Sequence, residues 1–324
     1  MIWGHDKAVD QFRQAWDRRT IHHAWLLAGP RGVGKAHFAR QAAVRLLCEA
    51  AGPEFDLPGL EAPEEHPIAK LVAAGSHPDM RWLERVVNEK TGNLNRNIKV
   101  EQVRALGEFM GLSAALSPWR VAVIDSADEL EGPAANALLK MLEEPPPNTL
   151  FFLVSHAPGR LLPTIRSRCR RLDLQPLDDD AMTSVLAQLH PETSAAERQR
   201  LAALAGGSVG RALAFASLDL APLEQSARDI LRHGDPDNAK RSALAGQLGR
   251  KASGERYSAF LDLLPSLVAS EARLLANAQQ ERALEAYSRV RDLIAVAPRL
   301  SLDPAATVFQ LGGILASVAE PGIP

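Results

Sequence analysis

Gly29-Pro30-Arg31-Gly32-Val33-Gly34-Lys35-Ala36 decides how this chain is read. It follows the apolar run Ala24–Ala28 and precedes a helix-forming segment at 38–48. Strand, glycine-rich turn and helix form the setting of a phosphate-binding loop. Gly29, Gly32 and Gly34 let backbone N–H groups turn inward around phosphate oxygens. The helix N-terminus adds the positive end of its dipole, and Lys35 adds a full charge. The final position departs from the pattern: a hydroxyl there would ligate Mg²⁺, and Ala36 has no oxygen to offer. The stretch reads as a nucleotide-binding loop whose hydrolytic machinery is damaged.

Outward from the loop, strands and helices alternate. Short apolar runs at 25–28, 80–83, 120–125, 150–155 and 169–174 read as strands. Segments 38–48, 100–110 and 134–144 carry apolar residues at helical spacing, the last stopped by Pro145-Pro146-Pro147. Helices between consecutive buried strands predict an α/β fold with a parallel sheet covered on both faces. After Pro176 the strands disappear. Asp178-Asp179-Asp180 opens a small helical unit running to Gly206-Gly207-Ser208-Val209-Gly210, where another helix begins. From about Ser217 the pattern is four or five amphipathic helices, clearest at 261–275 and 284–296, the last opened by Asp303-Pro304. The expected domains are 1–175, 176–214 and 215–324. The proline-rich, acidic segment 49–75 reads as a loop excursion with one short helix.

Several residues suit a nucleotide site, each with a plainer alternative. Val121-Ala122-Val123-Ile124-Asp125 ends in an acid, as a metal-holding Walker B strand does, though Asp125 could simply cap a turn. Hydrolytic relatives place a second acid next. Here it is Ser126, and Asp128, three residues on, is expected to point elsewhere. Ser155 closes the following strand, where P-loop folds often present a polar residue to the γ-phosphate; it could equally just end the strand. Arg211 would reach a phosphate from the helical lid, or be solvated on its helix. Thr164-Ile165-Arg166-Ser167-Arg168-Cys169-Arg170-Arg171 packs four arginines into six residues. A solvated face is the default for such a run, but mutual repulsion calls for an anion: a neighbour's nucleotide phosphate, acidic side chains or DNA.

Composition narrows the class. The 324 residues are 46% hydrophobic and 23% charged, with a net charge of −2, so no global charge marks a nucleic-acid binder. No apolar run approaches the roughly 18 residues that cross a membrane, and the polar N-terminus carries no secretion signal. Two distant cysteines, Cys48 and Cys169, fit a reducing cytoplasm.

Three runs resemble the bacterial clamp-loader AAA+ subunits of DNA polymerase III. They are Ala134-Ala135-Asn136-Ala137-Leu138-Leu139-Lys140-Met141-Leu142-Glu143-Glu144-Pro145-Pro146, Thr164-Ile165-Arg166-Ser167-Arg168-Cys169, and His22-His23-Ala24-Trp25-Leu26-Leu27-Ala28-Gly29. The resemblance is specific through residue 175, weaker in the lid, and rests on helicity alone beyond it. It implies a RecA-like AAA+ sheet, a small helical lid and a helical collar. Within the family, the ATP-hydrolysing gamma/tau motors carry Lys-Thr/Ser, Asp-Glu and a four-cysteine zinc module. Lys35-Ala36, Asp125-Ser126 and a single cysteine near that module look instead like the non-hydrolysing delta-prime type.

The resemblance further implies a five-subunit ring with gamma/tau and delta subunits, acting on the sliding clamp and primer–template DNA without a membrane. Arg168 would serve in trans as an arginine finger. No cofactor would be required and zinc would be absent: Gly29, Gly32, Gly34 and Lys35, with Asp125 in the Walker B-like position, would retain at most ATP or ADP binding without turnover. A zinc site rebuilt from Cys48, His66, His77 and a carboxylate has irregular spacing. The alternative is a self-sufficient ATPase, motor-type or another AAA+ enzyme. A P-loop kinase is disfavoured by the all-helical second half.

Overall fold

The computed structural model describes residues 2–88, 92, 94–249, 254–300 and 302–319. Two compact units divide the chain, Met1–Pro176 and Leu177–Pro324.

In the first unit, β1 (Ala24–Ala28), β2 (Met80–Glu84), β3 (Arg120–Asp125), β4 (Thr149–Ser155) and β5 (Arg170–Asp173) form one sheet in the order β2-β3-β4-β1-β5. All four pairings are parallel. The central strands are buried on both faces, which is why they read as unbroken apolar runs, whereas edge strands β2 and β5 mix exposed and buried residues. Helices α1 (Asp6–Asp17), α2 (Lys35–Ala51) and α3 (Pro67–Ala73) cover one face, with Phe12, Phe38, Leu46 and Ile68 packed on Trp25, Val123, Phe152 and Leu172. Helices α4 (Val100–Gly111), α5 (Gly132–Glu143) and α6 (Pro163–Ser167) cover the other, with Val103, Leu138 and Ile165 packed on Leu26, Ile124 and Leu153. The expected α/β architecture, a parallel sheet covered on both faces, is present. The N-terminal stretch, read only as polar, is the helix α1; its Ala8, Phe12 and Ala15 recur at helical spacing and are buried.

One carboxylate fixes the entry to the sheet. Asp79, in the turn before β2, is 1% exposed and accepts the N–H groups of Ala115, Leu116 and Ser117 at 2.6, 2.7 and 2.9 Å. Burial pushes its pKa up, and those three bonds more than offset this, leaving it below the ordinary range.

The second unit is helical among the described residues: α7 (Asp179–Leu189), α8 (Ala195–Ala205), α9 (Val209–Ser217), α10 (Ala221–His233), α11 (Ala239–Leu248), α12 (Gly254–Ala272), α13 (Asn277–Leu300) and α14 (Pro304–Ala316). Asp178, Ser194, Ser208 and Asp303 cap α7, α8, α9 and α14 through their side chains. The helices expected as lid and those expected as collar fall in this one unit, where α8 and α9 pack on α12. The last five residues of the expected collar, 320–324, lie outside the described residues.

A charged network ties α8, α10 and α12. Glu224 accepts from Arg200 and Arg228, and Glu271 from Arg228 and Arg232. Both glutamates are almost fully buried. Removing one partner of such a set typically costs about 3–5 kcal/mol, because the remaining charge is left uncompensated.

Candidate functional site

Parallel strands bring their C-terminal ends together. Ala28 lies in register beside Ser155, and Asp125 beside Val154. The phosphate loop leaves β1 at this end. Gly29, Gly32 and Gly34 all take positive φ, 151°, 79° and 101°. At Gly29 a side chain is excluded outright: a Cβ would lie 2.1 Å from the Leu174 carbonyl oxygen. That oxygen is held close because the Leu174 N–H donates to the Ala28 carbonyl at 2.8 Å. His5 braces the loop from outside, its Nε2 2.7 Å from the Val33 carbonyl oxygen.

Lys35 opens α2 and is 2% exposed. Its Nζ turns back and donates to the carbonyl oxygens of Gly29 at 2.8 Å and Pro30 at 2.5 Å. Burial pushes its pKa down to about 8, against the opposing pull of Asp125 and Asp128. The cation expected to meet a phosphate is engaged by carbonyls of its own loop.

The metal side of the site is filled by protein groups. Ser126 Oγ donates to Asp125 Oδ1 at 3.3 Å and lies 2.9 Å from His156 Nε2. With the serine proton on Asp125, His156 must supply its own Nε2–H, so a neutral imidazole donates to Ser126 and Ser126 to Asp125. Burial and the charge of Lys35 push the His156 pKa down to about 4, which keeps that ring neutral. Burial pushes the Asp125 pKa up, only partly opposed by Ser126. Ala36 contributes no oxygen and Asp125 is bound to Ser126, so the residues present do not fit a Mg²⁺ site of the hydrolytic kind.

Asp128 corrects the expectation that it points elsewhere: its Oδ1 accepts the His156 N–H at 2.9 Å and ties the end of β4 to the turn after β3. Ser155 is fully buried, and its Oγ meets no hydrogen-bond partner among the described residues. His156, one residue on, makes the polar contacts at this strand end. Nothing in its local sequence marks it; its role comes from the alignment of β3 and β4.

Arg168 lies at the other end of the sheet. It follows α6 and precedes β5, whose Arg170 pairs with Trp25 at the start of β1. Leu174, at the phosphate loop, follows the four residues of β5, which separate it from the turn at Arg168. At roughly 3.3 Å per residue that strand alone puts about 13 Å between Arg168 and its own phosphate loop, beyond the reach of its side chain. It is partly exposed and held at two points. One nitrogen donates to the Thr164 carbonyl at 3.1 Å, and another lies 2.8 Å from Glu143 Oε1 at the end of α5.

The arginine cluster is thus relieved from within the chain. Arg168 pairs with Glu143, Arg171 with Asp173 at 2.7 Å, and Arg170 lies over the Trp25 ring at 5.0 Å. Acidic side chains, one of the three anions the sequence allowed, already answer part of its charge.

Arg211 is in the second unit and is partly buried there. Its guanidinium donates to the Asp262 carbonyl and to Ser266 Oγ, both on α12, and lies over the Phe215 ring. Burial pushes its pKa down.

The residues considered for zinc have other duties. Cys48 is fully buried, which pushes its thiol pKa up to about 11. His66 caps α3, its Nδ1 accepting the Ile68 N–H at 3.2 Å, and its Nε2 lies 3.1 Å from the Gly52 carbonyl oxygen. His77 Nδ1 accepts the Asp79 N–H. Among the described residues no group of three metal-ligating side chains is close enough to hold a metal, so these residues do not fit a zinc site. The acidic segment is instead fixed by Arg45, which donates to the carbonyls of Leu57 at 2.8 Å and Glu61 at 2.5 Å and to Glu49 at 2.6 Å.

A family model described as "DNA polymerase III, delta subunit" matches residues 4–178. The DNA polymerase III subunit delta' of Pseudomonas aeruginosa is 41% identical over 198 residues, 60% of this chain and 56% of that protein. Its Bacillus subtilis counterpart is 32% identical over 172 residues, 53% of this chain and 48% of that protein. The DNA polymerase III subunit tau of Escherichia coli is 32% identical over 253 residues, 75% of this chain but 36% of that longer protein. The chain spans about half the length of the delta' relatives it matches. No helix among the described residues is long and apolar enough to cross a membrane. With the family model matched over more than half of its length, and delta' proteins of separate bacteria each similar to more than half of it, this chain belongs to the delta-prime family of DNA polymerase III clamp-loader subunits.

Proposed function

We propose that this subunit serves ATP-dependent loading of the sliding clamp onto primed DNA without hydrolysing ATP itself, and that it presents Arg168 to nucleotide held by an adjacent gamma/tau motor. The observation that carries this reading is the separation of the two cations. Lys35 is folded into a loop that lacks a metal-ligating hydroxyl, and Arg168 is partly exposed at the opposite end of β5, about 13 Å of strand away and too far to act on that loop. An arginine placed so can stabilise charge developing on a phosphoryl group only in a neighbour's site, where its planar fork suits phosphate oxygens.

The proposed assembly is a hetero-pentamer of motors, a delta subunit and this chain, in the cytoplasm, with contact to the clamp and DNA made through the complex. The second unit supplies the collar contacts. The protein needs no cofactor, zinc included, and any nucleotide entering the glycine cradle displaces Lys35 and is bound without turnover. Similarity to tau over three quarters of the chain favours a motor-type ATPase as the second reading; Ala36 and Ser126 weigh against it.

Co-purification with gamma/tau and delta, followed by ATPase measurement, tests the proposal. The isolated chain is expected to give no turnover above a Lys35→Ala control and to form a complex with both partners. Turnover above that control, or failure to join the complex, would sink it.

A further inference from the structure

On the face of the sheet opposite the Arg168–Glu143 pair, at the N-terminal ends of the strands, lies an open cavity of about 640 Å³. Its apolar walls are Trp16 at the end of α1, Trp119 just before β3, Phe55 and Ile21. All four are only partly buried against the core beneath. Trp16 and Trp119 meet edge to face, with ring centroids 5.4 Å apart and planes at 70°, which fixes the angle between two indole faces at the opening.

The polar walls are predominantly carboxylate. Asp17, Glu49 and Glu54 line the cavity with a single cation, Arg19. Glu49 is already answered: it accepts from Arg13, Arg45 and Trp16 Nε1. Asp17 shares Arg13. Glu54 is exposed and belongs to the stretch 46–69, which holds six acids (Glu49, Glu54, Asp56, Glu61, Glu64 and Glu65) and no lysine or arginine. Lys70 pairs with Glu65, whereas Glu54, Asp56, Glu61 and Glu64 form no ion pair among the described residues, so the segment that carries Glu54 and Phe55 is net acidic. Arg45 holds this lip in place through the Leu57 and Glu61 carbonyls and lies 4.5 Å from the Phe55 ring centre, so one face of that ring is already stacked on a guanidinium.

Aromatic faces set at a fixed angle beside an acidic lip favour a cation, above all the flat guanidinium of arginine, which stacks on indole while donating to a carboxylate. The same lip repels phosphate, so nucleotides and nucleic acid are disfavoured. We propose that this cavity is a docking site for an arginine-bearing basic peptide segment of a partner protein, with the guanidinium between Trp119 and Glu54. It needs neither the phosphate loop nor Arg168 and is independent of the role proposed for them.

The test uses the full chain and a blocked pentapeptide carrying two arginines. Its counterpart carries citrulline, which has the same shape and no charge. Tryptophan fluorescence should change saturably with the arginine peptide at sub-millimolar concentration, and the citrulline peptide should bind at least about tenfold more weakly. Glu54→Gln, at an exposed position, should weaken binding about fivefold with unchanged melting. Trp119→Phe should remove most of the fluorescence change. A short oligonucleotide should neither bind there nor compete. Equal binding of the two peptides, no saturable binding up to about 10 mM, no effect of Glu54→Gln, or displacement of the peptide by the oligonucleotide would each overturn the proposal.

Discussion

Lys35 and Arg168 belong to the same compact unit and are placed in opposite ways. Lys35 is 2% exposed, sits at the C-terminal ends of the strands, and donates to two carbonyls of its own loop. Arg168 sits at the N-terminal ends, partly exposed, and is steadied by one carboxylate and one carbonyl. Around Lys35 the polar groups satisfy one another: His156 donates to Ser126, and Ser126 to Asp125. Around Arg168 two further arginines also have partners, yet the guanidinium remains accessible. The backbone form of the glycine loop is held by glycine conformations and strand packing independently of any ligand. An accessible arginine needs another reason to be where it is, and the proposed function supplies one.

The inward half of this comparison would break most visibly at Gly29. Its φ of 151° and the Leu174 oxygen 2.1 Å from any added Cβ leave no room for a side chain. Gly29→Ala should cost on the order of 3 kcal/mol, read as a fall in the urea midpoint. A cost under about 1 kcal/mol would mean that the loop is not locked against β5 as described.

His156 sharpens the same half through pH. Its folded pKa, about 4, lies below the ordinary 6.5, so between those values the unfolded chain binds the extra proton. Stability attributable to His156 is therefore complete above pH 6.5 and lost as pH falls toward 4, by about 3 kcal/mol unscreened and roughly 2 kcal/mol once solvent screening of a partly exposed ring is allowed for. Unfolding of the wild type and His156→Asn, compared across that range, should converge on acidification by this amount. Parallel curves would contradict a buried neutral imidazole.

The outward half is tested by Glu143, which holds Arg168 at 2.8 Å. The pair is exposed, so Glu143→Gln should leave stability within about 0.5 kcal/mol. In the assembled complex it should lower ATP hydrolysis by less than Arg168→Ala does, since it changes how Arg168 is aimed and not whether it is present. A complete loss of activity would show that Glu143 does more than orient its partner.

Much of the first unit was legible in sequence because buried parallel strands read as unbroken apolar runs and the phosphate loop needs glycine at fixed places. All five strands fall within a residue or two of their expected bounds. Helix α1 escaped notice because its apolar positions are diluted by polar neighbours. His156, Asp128 and Glu143 could not be placed because their partners, Ser126, the His156 N–H and Arg168, come from other strands or helices. Arg45 was hidden for the same reason: it organises a loop whose residues it meets 12 and 16 positions later. In the second unit helical spacing disclosed the helices, but α8 and α9 and the helices beyond them bury one another's faces, and no composition change marks where a lid would end.

The central claim is that this subunit supplies a cation to a neighbour's site and does not host hydrolysis. It is tested most directly by comparing Lys35→Ala and Arg168→Ala in the same reconstituted clamp-loader complex, each checked for assembly. The account predicts that Lys35→Ala leaves DNA- and clamp-stimulated ATP hydrolysis unchanged. Arg168→Ala should abolish turnover at the one motor site it serves, where fingers contribute ~10³-fold. With three motors the complex should lose at least about a third of its rate and load clamps more slowly, and Arg168→Lys should restore little. A complex that assembles with Arg168→Ala and works at the wild-type rate, or one that fails with Lys35→Ala, would contradict it.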